Sequence, residues 1–499
     1  MKWGRGAVGS GQWKPTEVLF KNALVYRRQG DPSEDPFVRA DLLVEGNRVR
    51  RIAYRPERFD LPCDGPGRVV IEGSNLALVP GFVDAHTHLL QTFGRGLMDG
   101  LPLTPWLRLI WDYKLSWDGY YYSTLLGALE ALASGTTCVS EMITECAHPD
   151  AVVQALVDSG LRASVGLAIA DYMEGENTPA RATDAALKLA EDFVTAWDCR
   201  SDGGGSGAGK SRVDKPGAKS DGNPYSKSDL GGRLLARIAP VGLPACTKEL
   251  LQGAVELSRA YGVGIHIHAC EGRAETESSF ARFGKSEIEV LDECEVLSPG
   301  TQLVHVVWVD DHDIDLIARS GSSVVQCPSS NVRLLDGVTP VVKMQKAGIP
   351  VALGGDGAAS SGAYDMLVEG RFAAMLQRLT MGDASVLSPH DVMDMLTRNG
   401  ARAAGWVDLG DLSEGCLADL VGFNVDSPRL AATDCHALLS NIIFAASTRD
   451  IELVMVDGKI VVSRGNHTAL NVGDVVERAR EVLRRERIPR SQVWRGSGA

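Results

Sequence analysis

The sequence holds no run approaching the roughly 20 apolar residues that a membrane-crossing helix needs. Its first residues, MKWGRGAVGSGQWKPTE, carry basic groups with no apolar core behind them. Neither a membrane span nor a secretory leader is expected, which points to the cytoplasm. A CxxC pair is also missing: ten cysteines are scattered from Cys63 to Cys435. That spacing argues against a disulfide framework and against a thiolate zinc site. Positive charge is in deficit, 51 Lys and Arg against 64 Asp and Glu, for a formal net charge of -13. Binding to nucleic acid or to an anionic membrane is therefore disfavoured. A small neutral or cationic molecule is easier to accommodate.

What is present is ordinary for a large core: 44% hydrophobic and 23% charged residues in 499. That length exceeds one average domain but suits a barrel enzyme with a small attached domain. From about Pro80, short β-branched runs alternate with amphipathic helical stretches, the pattern of parallel strands joined by helical crossovers. Candidate strands are Leu76 to Asp84, Thr136 to Glu141, Arg162 to Ile169, Leu234 to Val241, Gly264 to His268, Gln302 to Trp308, Ser322 to Gln326 and Pro350 to Gly354. Between them, Tyr121, Leu125, Leu129 and Leu132 share a helical face before a stop at Gly135, and Thr247 can cap a helix running to Gly262.

An α/β fold follows, a (β/α)8 TIM-like barrel over residues 80–408. An open Rossmann-like sheet is the alternative; the barrel is preferred because the candidate polar ligands fall at carboxyl ends of strands. Residues 1–79 and 409–470 read as short strands with tight turns such as Asp457-Gly458, and together predict one small β-sandwich domain built from both ends. Residues 471–499 predict a surface helix and tail. The stretch 200–232, rich in Gly, Ser, Lys and Asp, predicts a disordered insertion.

Four signals carry chemistry. His86-Thr87-His88 ends an apolar strand, and residues two apart in a strand point the same way, so both imidazoles can reach one metal ion. His266, His268 and Glu271 end another; His268 offers a ligand, Glu271 a proton shuttle, and His266 reads as a packed interior histidine. His305 is a lone polar residue inside QLVHVVW. Asp356 is delivered by an apolar strand into the glycine-rich turn GGDGAAS, where it can bind a metal and accept a proton. Trp111, Tyr113 and Trp117 can stack on a planar ring or pack in the core of their own loop. Ser329, Ser330 and Asn331 follow the seventh strand, as binding groups or as a turn.

The order His, His, His, His, Asp on strands one, one, five, six and eight resembles the amidohydrolase superfamily over nearly the whole chain, from Asp41 to Gly465. The phrases PGFVDAHTHLLQTFGRGL, LPLTPWL, ASGTT, HIHACE, LVHVVW, CPSSNVRLLDG, VALGGDGAAS and LSEGCLADLV are similar to its deaminase and chlorohydrolase branch. That branch includes deaminases of methylthioadenosine, S-adenosylhomocysteine and guanine and the s-triazine hydrolases. The resemblance implies one divalent ion, zinc with iron or manganese as alternatives, on His86, His88, His268 and Asp356. It implies Glu271, His305 and Asp356 as catalytic residues and a homo-oligomer; Trp111, Ser329 and Asn331 are the candidate substrate-binding residues by their positions after the first and seventh strands.

The fourth strand, LLARIAPV, carries no lysine for a bridging carbamate. The implied reaction is hydrolytic deamination of a purine-like, pterin-like or triazine-like ring. In it Asp356 takes a proton from metal-activated water, Glu271 protonates a ring nitrogen, His305 stabilises the oxyanion and ammonia leaves. Displacement of chloride or an alkylamine, and a non-catalytic barrel scaffold, are the alternatives.

Three phrases depart from the adenosine-type deaminases of the branch. Pro240-Val241-Gly242-Leu243-Pro244 lacks the histidine they place after the fourth strand, Lys114 and Leu115 stand where they carry a ribose-binding glutamate, and RASVGLAIADY lacks their third-strand arginine.

Overall fold

The computed structural model describes residues 16–28, 35–59, 67–144, 146–172, 181–199 and 232–493. All of the stretch 200–232 except Gly232 lies outside them.

Eight parallel strands form one sheet in sequence order: Phe82–Thr87, Thr136–Ile143, Arg162–Ile169, Leu234–Pro240, Ile265–Ala269, Thr301–His305, Ser323–Gln326 and Val351–Leu353. The sheet closes between its first and last strands, where Asp356 N–H donates to the His86 carbonyl at 2.9 Å and His88 N–H to the Asp356 carbonyl at 3.1 Å. These are the strands of a TIM-like barrel, with helices packed around them. The approach is close: a side chain at Gly354 would stand 2.9 Å from Cys327 Sγ and from His86 Cβ.

Two strands differ from the sequence expectation. The run Leu76 to Asp84 is two strands, because the chain turns at Gly81, whose N–H donates to the Asp419 carbonyl and whose Cα packs too closely on Thr137 for any side chain. Leu76–Pro80 joins the outer sheet and Phe82–Thr87 begins the barrel. The sixth strand ends at His305 and does not reach Trp308, because His305 (φ 72°) and Val306 (φ 47°) leave the extended region.

The second sheet takes nine strands from both ends of the chain. Glu17–Tyr26, Phe37–Glu45, Arg48–Tyr54, Arg68–Glu72 and Leu76–Pro80 meet Leu420–Asn424, Ile451–Val456, Lys459–Ser463 and Asn466–His467. The join is antiparallel, Leu420 opposite Pro80 and Asn424 opposite Leu76. An irregularity between Phe20 and Ala23 lets Glu17–Tyr26 pair first with Arg68–Glu72 and then with Leu76–Pro80, so the sheet folds over its own core. Val18, Phe20, Leu42, Leu78, Leu420 and Met455 meet in that core. Asp457 (φ 52°) and Gly458 (φ 73°) make the left-handed two-residue turn of the Ile451–Val456 hairpin.

Arg162, at the amino end of the third barrel strand, ties the two parts together. It is 1% exposed, with Asp419 at 3.0 Å, Asp457 at 2.9 Å and the Trp406 ring 4.7 Å beneath its guanidinium. The helices follow their caps: Thr247 accepts from Leu250 N–H ahead of Lys248–Tyr261, which ends at Gly262 (φ 61°). Val472–Leu483 packs on Trp117–Ala133, with Val475 against Leu125 and Leu129. No helix among the described residues is long and apolar enough to cross a membrane.

Candidate active site

At the carboxyl end of the barrel the strand ends bring His86, His88, His268, His305 and Asp356 together. Backbone in the left-handed region, at Cys270 (φ 52°), His305 (φ 72°) and Asp356 (φ 55°), turns the chain sharply where three strands finish. Such conformations are costly for non-glycine residues and cluster where geometry serves a purpose. Ligand atoms of His86, His88 and Asp356 lie within 4.8 Å of one another, as do those of His86, His268 and His305.

Hydrogen bonds decide which nitrogen each ring offers. His88 Nδ1 faces the Met142 carbonyl at 2.7 Å and His268 Nδ1 the Val241 carbonyl at 2.6 Å. A carbonyl only accepts, so both rings carry the proton at Nδ1 and present an Nε2 lone pair. His86 Nδ1 faces His266 Nε2 at 2.8 Å, and the Gln302 amide nitrogen lies 3.2 Å from that same His266 atom. With Gln302 donating there, His266 Nε2 is an acceptor and His86 donates to it from Nδ1. His86 Nε2 is then a third lone pair, buried and without a hydrogen-bond partner. Asp356 Oδ1 stands 3.4 Å from Nε2 of both His86 and His88, and its Oδ2 accepts from the hydroxyls of Ser330 (2.6 Å) and Ser360 (2.8 Å).

The electrostatics agree with this donor set. Burial pushes His86 down to about 3 and His268 well below the usual range, so both rings are neutral. Burial opposes the charge on Asp356, whose carboxylate is held by the Ser330 and Ser360 hydroxyls. The Nε2 atoms of His86, His88 and His268, the first of them buried without a hydrogen-bond partner, and the Asp356 carboxylate fit a divalent cation with an open position.

Around this cluster, Glu271 Oε1 lies 3.6 Å from His305 Nε2. Burial first, then neighbouring Asp336, pushes the Glu271 carboxyl well above the usual range. His305 Nδ1 faces Asn331 Oδ1 at 2.8 Å. Beneath the turn after His88, Glu141 accepts from Leu89 N–H and the Tyr364 hydroxyl donates to the His88 carbonyl.

Ser329, Ser330 and Asn331 lie on the short helix Pro328–Arg333, where each residue is turned by about 100° from the last. They consequently face three targets: Ser329 N–H donates to Glu369, Ser330 holds Asp356 and Asn331 holds His305. Trp111 caps the helix Leu103–Ile110 and is 49% exposed. Tyr113 is buried, its hydroxyl on the Leu90 carbonyl, and Trp117 stacks on Tyr121 and donates to Asp150. Tyr113 is thus held in the core, whereas Trp117 remains 37% exposed. Ser360, Asp336, Glu141, Tyr364 and the positioning role of Ser330 escape sequence reasoning, because no local spacing shows which distant backbone or carboxylate each will meet.

The Amidohydrolase family model matches residues 77–461, and the chain belongs to that family. It is a hydrolase acting on carbon–nitrogen bonds other than peptide bonds. A 5'-deoxyadenosine deaminase of Methanothermobacter thermautotrophicus is 33% identical over 444 residues, 88% of this chain and 93% of its own. A 5-methylthioadenosine/S-adenosylhomocysteine deaminase of Moorella thermoacetica is 32% identical over 429 residues, 85% of this chain and 91% of its own. Among solved structures, an adenosine deaminase from Xanthomonas campestris with bound zinc superposes with a TM-score of 0.77 at 25% identity, covering 95% of this chain and 99% of that one. An atrazine chlorohydrolase from Arthrobacter aurescens complexed with zinc has the same fold, at a TM-score of 0.78 and 20% identity over 93% of this chain and 100% of that one.

Proposed function

We propose that this protein is a metal-dependent aminohydrolase that releases ammonia from the amino-bearing ring of a 5'-modified adenosine-like nucleoside. The observation that carries the reading is the clustering of ligand atoms of His86, His88 and Asp356, and of His86, His268 and His305, with Glu271 beside His305, its carboxyl pushed above the usual range by burial. The names of the relatives support adenine as the ring, while the departures at Pro240–Pro244, Lys114–Leu115 and the third strand leave the sugar to be held by other groups than in the adenosine-type deaminases. His86, His88, His268 and Asp356 would hold a single ion, which we take to be zinc on the strength of the donor set and the zinc-bearing neighbour. When bound, the ion brings the pKa of a water from near 15.7 to roughly 7.

The chain's own groups move the protons. Asp356 accepts one from the attacking water through its carboxylate, which the two serine hydroxyls keep oriented. Glu271 gives its proton to the ring nitrogen next to the carbon under attack, making that carbon electrophilic. Asn331 fixes the His305 ring at Nδ1, and when Nε2 bears a proton it donates to the developing oxyanion. The proton taken by Asp356 passes to the amino group, which leaves as ammonia, and the remaining hydroxyl proton returns to Glu271.

Trp111, exposed at the end of the helix Leu103–Ile110, is our candidate for stacking on the ring. Residence in the cytoplasm remains part of the proposal, and so does a homo-oligomer, by likeness to the family. The test is ammonia release by zinc-loaded protein from 5'-deoxyadenosine, methylthioadenosine, guanine, a pterin and an aminotriazine, with chloride release from a chlorotriazine read in parallel. Ammonia from the nucleosides is the expected result; chloride alone would overturn the reading.

A further inference from the structure

His266 and Gln302 stand beside each other in register on the fifth and sixth barrel strands, and Ser140 of the second strand reaches both across the barrel interior. With His86 they form a polar layer beneath the cluster, and all four side chains are fully buried. Polar groups in such a place are costly unless each donor meets an acceptor, and a layer in which all are met holds one arrangement firmly.

The Gln302 amide sets the direction of every bond in the layer. Its nitrogen donates to the Ala85 carbonyl, which only accepts, so its Oε1 faces Ser140 and takes the hydroxyl hydrogen at 3.2 Å. With that hydrogen committed, Ser140 Oγ is left to accept from His266 Nδ1 at 3.5 Å. His266 therefore carries its hydrogen at Nδ1. Its Nε2, which the Gln302 amide nitrogen also meets at 3.2 Å, accepts from His86 Nδ1 at 2.8 Å. The other two proposed imidazole ligands, His88 and His268, set Nδ1 against backbone carbonyls, which can only accept. An imidazole acceptor works in one tautomer alone: a hydrogen on His266 Nε2 would make His86 Nδ1 the acceptor and move the His86 hydrogen to Nε2, where the lone pair is needed.

We propose that His266, held by Ser140 and Gln302, is a positioning residue that fixes His86 in the tautomer whose Nε2 lone pair faces the cluster. His266 touches no reacting atom; it acts through His86. The inference rests on the reading of His86 as a metal ligand for its effect on affinity only, since the tautomer is a property of the protein alone.

The experiment is nuclear magnetic resonance of the full chain with nitrogen-labelled histidine, before and after loading with zinc, because two-bond proton–nitrogen correlations show which ring nitrogen carries the hydrogen. Signals missing from His86→Asn and from His266→Phe identify the two rings. In wild type both are expected to be protonated at Nδ1 before and after loading. In His266→Phe, the His86 hydrogen is expected to shift towards Nε2 before loading, and zinc affinity, measured by competition with a chelator, to fall roughly 10–100-fold. His266→Gln, whose amide oxygen can accept the same bond, is expected to recover the Nδ1 form and most of the affinity.

A wild-type His266 protonated at Nε2 would overturn the proposal. So would a His266→Phe protein that melts like wild type with the His86 tautomer and zinc affinity unchanged, or an affinity lost in His266→Phe and not recovered in His266→Gln, which would leave His266 a packing role alone. If His266→Phe does not fold, the wild-type spectrum and His266→Gln decide. If wild type takes up no zinc, the metal-site reading fails and the spectra alone decide the role of His266.

Discussion

The histidines of one cavity are set apart by what each meets at Nδ1. Backbone carbonyls at His88 and His268, and His266 at His86, each accept a hydrogen bond from the ring's Nδ1–H and leave Nε2 facing inward. His268→Ala removes one of three lone pairs and is expected to lose both bound metal and turnover, checked by metal analysis of the purified variant beside an activity assay. Asn331→Ala leaves the ligands in place and frees the His305 ring; kcat should fall on the order of 10–100-fold with metal content unchanged, and equal loss of metal would contradict the separation of roles. For His266 the sequence favours a packed interior histidine over a direct role. The structure keeps it buried and sets it against His86, a proposed ligand on a strand 180 residues away.

Strand periodicity made most of the donor set legible. His86 and His88, like His266 and His268, are two apart in apolar runs, so their shared facing followed from a repeat of two. The strand ends were less visible: whether a run stops at His305 or continues to Trp308 depends on φ angles that no residue in the run dictates, and the break at Gly81 depends on Thr137 across the sheet. The Arg162 ion pairs were hidden for the same reason, their acids lying 257 and 295 residues downstream. Arg162→Ala would strand two buried carboxylates, and a loss of roughly 3–5 kcal/mol is expected in denaturant unfolding. An unchanged midpoint would show that the tie between barrel and outer sheet lies elsewhere.

As a whole the molecule is a closed parallel barrel whose amino side rests on a sheet made by both chain ends, leaving the carboxyl side for chemistry. The residues flanking 200–231 already meet, Cys199 N–H donating to the Leu234 carbonyl. Replacing residues 201–230 by a short Gly-Ser link is therefore expected to leave turnover and melting temperature unchanged. The claim that joins all scales is that His86, His88, His268 and Asp356 hold the ion while Glu271 only moves protons. Metal content and turnover of Glu271→Gln, measured on one preparation beside wild type, test it most directly. Wild-type metal content with turnover abolished is the predicted result; normal turnover, or loss of the metal with it, would contradict the assignment.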